Sequence, residues 1–205
     1  AFIGPVTLDR FGGAPVELAR VSFSLGEYHA YRFTEPVTLE AGGRTVLPLL
    51  SGTVRVSEEY FWAGGPVAWY ANVTNALSEP LATGVINFYS GREWVGSDSL
   101  SYTPSGGSSR LTVGNARDVV VSEKTIKIEH LTDVDRVTLQ VTASNYKTET
   151  INLTLQRWIP YQATLVSADP APAQEGQTLT WRITLSPGGI RAITYTYQMP
   201  APKPV

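Results

Sequence analysis

The stretch VAWYANVT, residues 67–74, decides the class of this fold. Val67, Trp69, Ala71 and Val73 occupy alternate positions, with Tyr70, Asn72 and Thr74 opposite them. That period of two belongs to a strand with one face buried. The pattern extends along the chain. VTLQVT (137–142) sets Val137, Leu139 and Val141 against Thr138, Gln140 and Thr142, and INLTL (151–155) groups Ile151, Leu153 and Leu155. LTWRITL (179–185) aligns Leu179, Trp181, Ile183 and Leu185, and ITYTYQM (193–199) aligns Ile193, Tyr195, Tyr197 and Met199. β-Branched and aromatic residues dominate these runs, as strands packed on one face require. Between the runs stand Gly12-Gly13, Gly42-Gly43, Gly64-Gly65-Pro66, Gly106-Gly107 and Pro187-Gly188-Gly189. Such spacing predicts antiparallel sandwiches, because parallel strands need long crossovers. The one stretch that would accept a helical turn, 168–175, is made a loop by Pro170 and Pro172. The expected class is all-β.

Composition narrows the partners. The chain has 205 residues, a net charge of −2 and a pI near 5.7. Its Lys and Arg are scattered, which argues against nucleic acid and against a basic membrane patch. No apolar run reaches the roughly 20 residues of a membrane-spanning helix. With no cysteine, disulfides, thiol catalysis and Cys-based metal sites are excluded. The absence of an initial Met suits a surface protein that has lost a signal peptide. Six Asn and six Gln are few, a weak sign of a hot habitat.

The Gly- and Ser-rich stretch TPSGGSSRLTVGNARD (103–118) suggests a boundary, after which VVVSEKTIKIEHL starts a new set of strands. The expected organisation is an extended N-terminal segment (1–26), a first β-sandwich (27–118) and a second, immunoglobulin-like β-sandwich (119–205) with a Pro-rich tail. Both sandwiches are expected to be antiparallel.

Several segments carry a resemblance. YRFTEPVTLEAGGRTVLPLL (31–50) is followed by EEYFWAGGPVAWYANVTNALSEPLATGVINFYSGREWVGSDSL (58–100). Within the latter, Asn75, Pro80-Leu81, Gly84, Phe88-Tyr89, Gly91 and Val95-Gly96 form an Asn, Pro-Leu, Gly and strand-turn-strand signature. LTVGNARDVVVSEK and the terminal LSPGGIRAITYTYQM complete the succession. In this order the features resemble the C-terminal domain of unknown function of mucoidy-inhibitor-A-like proteins, over roughly residues 28–199. The resemblance implies two linked β-domains and no catalytic residues. The chain departs from that family in lacking the upstream domain and coiled coil.

Motifs for chemistry are sparse. His29 and His130 lie far apart in the chain and read as ordinary strand histidines; a shared zinc would need further ligands. Glu58 and Glu59 are adjacent on a strand and face opposite sides, so they do not share a proton. Asp133 and Asp135 could share a face, but the remaining ligands of a Ca²⁺ loop are missing. No Gly-x-Ser-x-Gly occurs. The expectation is a non-enzyme with no catalytic, cofactor or metal residues. Trp69 and Trp181 share faces with aliphatic residues and read as core, whereas Trp62, Trp94 and Trp158 flank turns and are candidates for exposure. Asn72-Val-Thr and Asn152-Leu-Thr are sequons, with each Asn on the polar side of its strand.

AFIGPVTLDRFGG (1–13) lies outside the resemblance. Phe2, Gly4, Val6 and Leu8 share one face, with Ile3, Pro5, Thr7 and Asp9 on the other. Pro5 lacks a backbone donor, so the strand suits a sheet edge. Two placements stand: an ordinary first strand of its own domain, or a donor strand that completes a neighbouring copy. In the second case Phe2, Ile3, Val6 and Leu8 form the assembly strand and Gly12 and Gly13 the hinge. Such a head-to-tail contact propagates into an open filament. The expected function is thus an exported structural subunit of an extracellular, pilus-like filament, a glycoprotein whose main partner is itself. The alternative is a monomeric cell-envelope module that binds surface glycans or protein.

Overall fold

The computed structural model describes residues 20–25, 28–33, 36, 38, 41–42, 50 and 52–201. The candidate assembly strand (Phe2, Ile3, Val6, Leu8) and hinge (Gly12, Gly13) lie outside the described residues, as do the last four residues. The described chain is all-β, with no helix. Its strands are β1 (Arg20–Leu25), β2 (Tyr28–Phe33), β3 (Arg55–Trp62), β4 (Ala68–Thr74), β5 (Gly84–Ser90), β6 (Glu93–Leu100) and β7 (Ser108–Asn115). There follow β8 (Val119–His130), β9 (Val134–Asn145), β10 (Ile151–Trp158), β11 (Thr164–Asp169), β12 (Ala173–Glu175), β13 (Thr178–Leu185) and β14 (Ile190–Pro200).

Six strands form one sheet in the order β12-β13-β10-β3-β4-β7, and four form another in the order β11-β14-β9-β8. β1-β2 and β5-β6 are separate antiparallel hairpins. The expected all-antiparallel pairing has one correction: β10 runs parallel to β3, with Leu153 beside Tyr60 and Leu155 beside Trp62. Six strands intervene between the two, ample length for the crossover a parallel pair needs.

The chain divides into two compact units. One holds residues 58–71 and 112–201; the other holds 72–111 with the described residues before 58. The expected boundary at 118/119 lies within the first of these. Composition does not register that β3 pairs beside β10, and this pairing draws residues 58–62 to the later strands. In that first unit the alternation seen in the sequence is filled in as two facing apolar layers. Leu153, Leu155, Leu179, Trp181 and Ile183 come from one sheet, and Val141, Ala143, Ile193 and Tyr195 from the other, all buried in one cluster. Such packing is consistent with a β-sandwich. Each fully buried Leu, Ile or Val contributes roughly 1.5–3 kcal/mol relative to exposure. In the other unit Val73, Leu81, Ile86, Phe88 and Leu100 are buried.

One corner is built twice. Asn145, 1% exposed, ends β9 and donates Nδ2 to the carbonyls of Glu149 (2.8 Å), Leu185 (3.2 Å) and Ser186 (3.0 Å). Its Oδ1 accepts from the Lys147 amide (3.0 Å), and its own amide donates to the Gly189 carbonyl (2.9 Å). Asn75, fully buried after β4, repeats each contact. Nδ2 reaches the carbonyls of Glu79, Thr103 and Pro104, Oδ1 takes the Leu77 amide, and the Asn75 amide donates to Gly107. The turns that receive them match as well. Gly106 and Gly188 sit at φ 76° and 67°, in the left-handed region that favours glycine. A Cβ on Gly107 or Gly189 would lie 3.0 Å or 2.9 Å from a backbone carbonyl oxygen. Each Asn therefore pins the end of one strand to the turn between two others.

Candidate functional site

The sequence offers β8 mainly as VVVSEKTIKIEH, a run whose alternation is interrupted. The structure supplies the cause. β8 pairs with β9 from Val119↔Asn145 to His130↔Asp135, and the register shifts between Thr125 and Lys127, leaving Ile126 as the extra residue. β8 is the last strand of its sheet, so its other edge has no strand partner among the described residues. Before the bulge, Val119 is buried, and Val121 and Glu123 are half-buried. Val120, Ile126 and Ile128 are 47%, 50% and 56% exposed.

Glu123 is the anchor of this strand. One carboxylate oxygen accepts from the Tyr195 hydroxyl of β14 at 2.7 Å, and the other meets Arg157 Nη2 of β10 at 2.7 Å. The Arg157 guanidinium lies over the Trp62 indole, 5.4 Å from its centroid. Both sheets of the unit thus converge on one carboxylate beneath the edge strand. Burial pushes the Tyr195 phenol up, and the Glu123 hydrogen bond pushes the same way. Burial opposes the Arg157 charge, yet its hydrogen bonding with Tyr195 and the Glu123 carboxylate raise its pKa on balance. At the far end of β8, Lys127 bonds Glu129 at 2.7 Å and holds that carboxyl below its ordinary value. His130 Nδ1 meets Asp135 across the ladder at 2.8 Å.

A second cationic contact lies in the same unit. Lys147 stands near the rings of Tyr60 (5.7 Å) and Trp69 (5.9 Å) and 3.2 Å from Glu149. Tyr60 donates to Glu58, and burial together with that carboxylate raises its phenol pKa. These groups interlock aromatic packing and charge.

The candidate residues are scattered. Trp94 and Trp158 are 60% and 61% exposed. Trp62 corrects the expectation of an exposed aromatic. It shares a face with Tyr60, is buried at 3%, and satisfies its indole N–H on the Gly65 carbonyl (2.9 Å). Asn152 is exposed on β10, where its Oδ1 accepts from the Thr184 hydroxyl (3.0 Å); Asn72 is half-buried on β4. His29 packs edge-on to Tyr31 in one unit, while His130 belongs to the other. Asp135 is buried at 8% and Asp133 is exposed. Among the described residues no three His, Asp or Glu gather as a metal site, and no helix is long and apolar enough to cross a membrane.

Sequence reasoning missed Tyr89, which lies directly opposite Trp94 on the β5-β6 hairpin and is 54% exposed. It also missed Glu123, Arg157 and the paired Asn corners. The corners did leave a signal: Asn-x-x-x-Glu recurs at 75–79 and 145–149, each followed by a Gly-Gly turn. Comparison with known proteins returned no match to any family model, curated protein or solved structure.

Proposed function

We propose that the chain is an exported, non-enzymatic structural subunit that joins copies of itself into an extracellular filament, with residues 1–11 as the strand passed from one copy to the next. One observation carries this reading. The sandwich of the first unit fills its core with its own residues, yet leaves large apolar side chains exposed on outer strands: Val120, Ile126 and Ile128 on β8 and Val166 on β11. A body complete inside and apolar along its edges is suited to association by strand addition. The finer fold, two immunoglobulin-like domains related to the mucoidy-inhibitor-A-like C-terminal domain, is supported by the duplicated Asn corner. In both copies it links a strand pair (β4 with β7, β9 with β14) through a Gly-Gly turn. Deleting residues 1–11 tests the reading. Assembly is lost and the thermal unfolding transition is kept; a variant that still polymerises refutes it.

A second reading, a glycan-binding module, is favoured by Tyr89 opposite Trp94, two exposed rings on one hairpin face with Asn87 and Ser97 next to them. Aromatic planes flanked by amide and hydroxyl groups suit the apolar faces and hydroxyls of sugars. Retention on polysaccharide that disappears in Trp94→Ala supports it; a single-particle species that ignores every polysaccharide removes it.

A further inference from the structure

We infer that the open edge of β8 pairs two copies of the chain, β8 against β8 and antiparallel over residues 126–130, with Ile128 of each copy meeting on the two-fold axis. The duplicated corner supplies the first argument. β8 leads into β9 and Asn145 as β3 leads into β4 and Asn75, and the strand orders β8-β9-β14 and β3-β4-β7 correspond. β3 takes β10 on the edge away from β4, whereas the same edge of β8 has no strand among the described residues. The contact is separate from residues 1–11 and closes as a pair, because both copies offer the same surface.

Backbone direction marks the usable half of the strand. The Leu131 amide donates to the Val134 carbonyl at 2.9 Å across the turn from β8 to β9. Alternate residues send their N–H and C=O to opposite neighbours, so Glu129 and Lys127 also face β9, while His130 and Ile128 face the open edge. The bulge at Ile126 ends that regular run, since a bulge bends its strand and breaks the ladder. Ile126 and Ile128 are 50% and 56% exposed, and Leu131 follows at 44%. An edge with unpaired backbone groups and exposed apolar side chains is a template for another chain.

Charge fixes the partner and the register. A lysine on an edge ordinarily repels an incoming strand. Here Lys127 is already joined to Glu129, Nζ to carboxylate oxygen at 2.7 Å. With Ile128 on the axis, Lys127 of each copy stands opposite Glu129 of the other, and the two ion pairs become a ring of four alternating charges. Ile126 then lies opposite His130. Moving the axis one residue either way sets Lys127 against Lys127, or Glu129 against Glu129, directly across the ladder, which is unfavourable. β8 is thus complementary to itself in this register.

The chain has no cysteine, so one introduced thiol per copy reports without background. Ile128→Cys places two sulfurs on a hydrogen-bonded pair, with Cα atoms about 5.5 Å apart, inside the disulfide range of about 4.4–6.8 Å. The full chain carrying it is oxidised in dilute solution and run on a denaturing gel, with Val120→Cys on the same strand as the control. The expected result is a disulfide-linked dimer from Ile128→Cys and monomer from Val120→Cys. In the Ile128→Cys background, Lys127→Glu or Glu129→Lys puts like charges opposite each other and should lower the dimer yield about tenfold. An equal mixture of those two variants should restore it, because each supplies the charge the other has lost. No dimer, dimers from both thiols alike, or charge reversals without effect overturn the pairing. Fibre formation bears on the filament reading alone, so either proposal can fail without the other.

Discussion

Asn145 and Asn75 each hold four hydrogen bonds on one side chain. Each is buried, and each amide group is shared among three backbone carbonyls, one of those bonds fully buried in each corner. Asn145→Ala is expected to destabilise by about 2–4 kcal/mol, since buried acceptors are left unpaired. Asn145→Asp should be no better at neutral pH, because a carboxylate offers the three carbonyls no donor. Urea unfolding of these variants checks both, with the exposed Asn152→Ala as the control expected to stay within about 0.5 kcal/mol. The buried phenols give a second expectation. Tyr195 and Tyr60 have folded pKa values raised above the ordinary phenol, chiefly by burial. The folded state then holds its phenolic protons after the unfolded chain has released them, so this stability is intact below about pH 10 and falls as pH rises further. Spectrophotometric titration should show phenols that ionise only as the chain unfolds, fewer of them in Tyr195→Phe. Tyrosines that all ionise in an intact fold would contradict this.

Among the elements, β8 depends on the Glu123–Arg157–Tyr195 contact for its seat. Arg157→Met leaves a partly buried carboxylate without its counterion, at a cost of about 2 kcal/mol once its partial exposure is discounted. Adding Glu123→Leu to that variant removes the stranded charge and should recover at least half of the loss, read from the urea midpoint. If the double variant is as weak as the single one, the charge is not what holds β8. Element types were legible in the sequence, because period two survives wherever one face is buried: Leu179, Trp181, Ile183 and Leu185 alternate on paper and are all buried in the core. Trp62 was legible too, two residues after Tyr60 on the same face, but its nearness to Gly64-Gly65-Pro66 pointed to the surface instead. Partnership was not legible. Nothing local in EEYFW states that it lies parallel to INLTL, since that pairing joins residues some ninety positions apart in the chain. Glu123 and Arg157 were hidden for the same reason, as single charges in different strands that only tertiary packing brings together.

For the whole molecule, the sequence predicted an all-β chain and the structure is one, with sheets whose inner faces pack as in a sandwich. The division into units was not readable from composition, because residues 58–71 join strands that follow them much later. The candidate assembly strand was readable only as a pattern: apolar residues at 2, 6 and 8, a proline at 5 and two glycines at 12 and 13. Whether that pattern is used between molecules is a property of many copies at once. At this scale Asn152, exposed on β10, is the sequon expected to carry glycan if the protein is exported, and half-buried Asn72 the less accessible. Mass spectrometry of native material after glycosidase treatment would show the added mass at residue 152, and its absence from both sequons would remove the glycoprotein reading. The most direct test of the central claim is negative-stain electron microscopy of the purified full chain beside the chain lacking residues 1–11. Continuous fibres from the first and separate particles from the second are the predicted result; separate particles from both would contradict it.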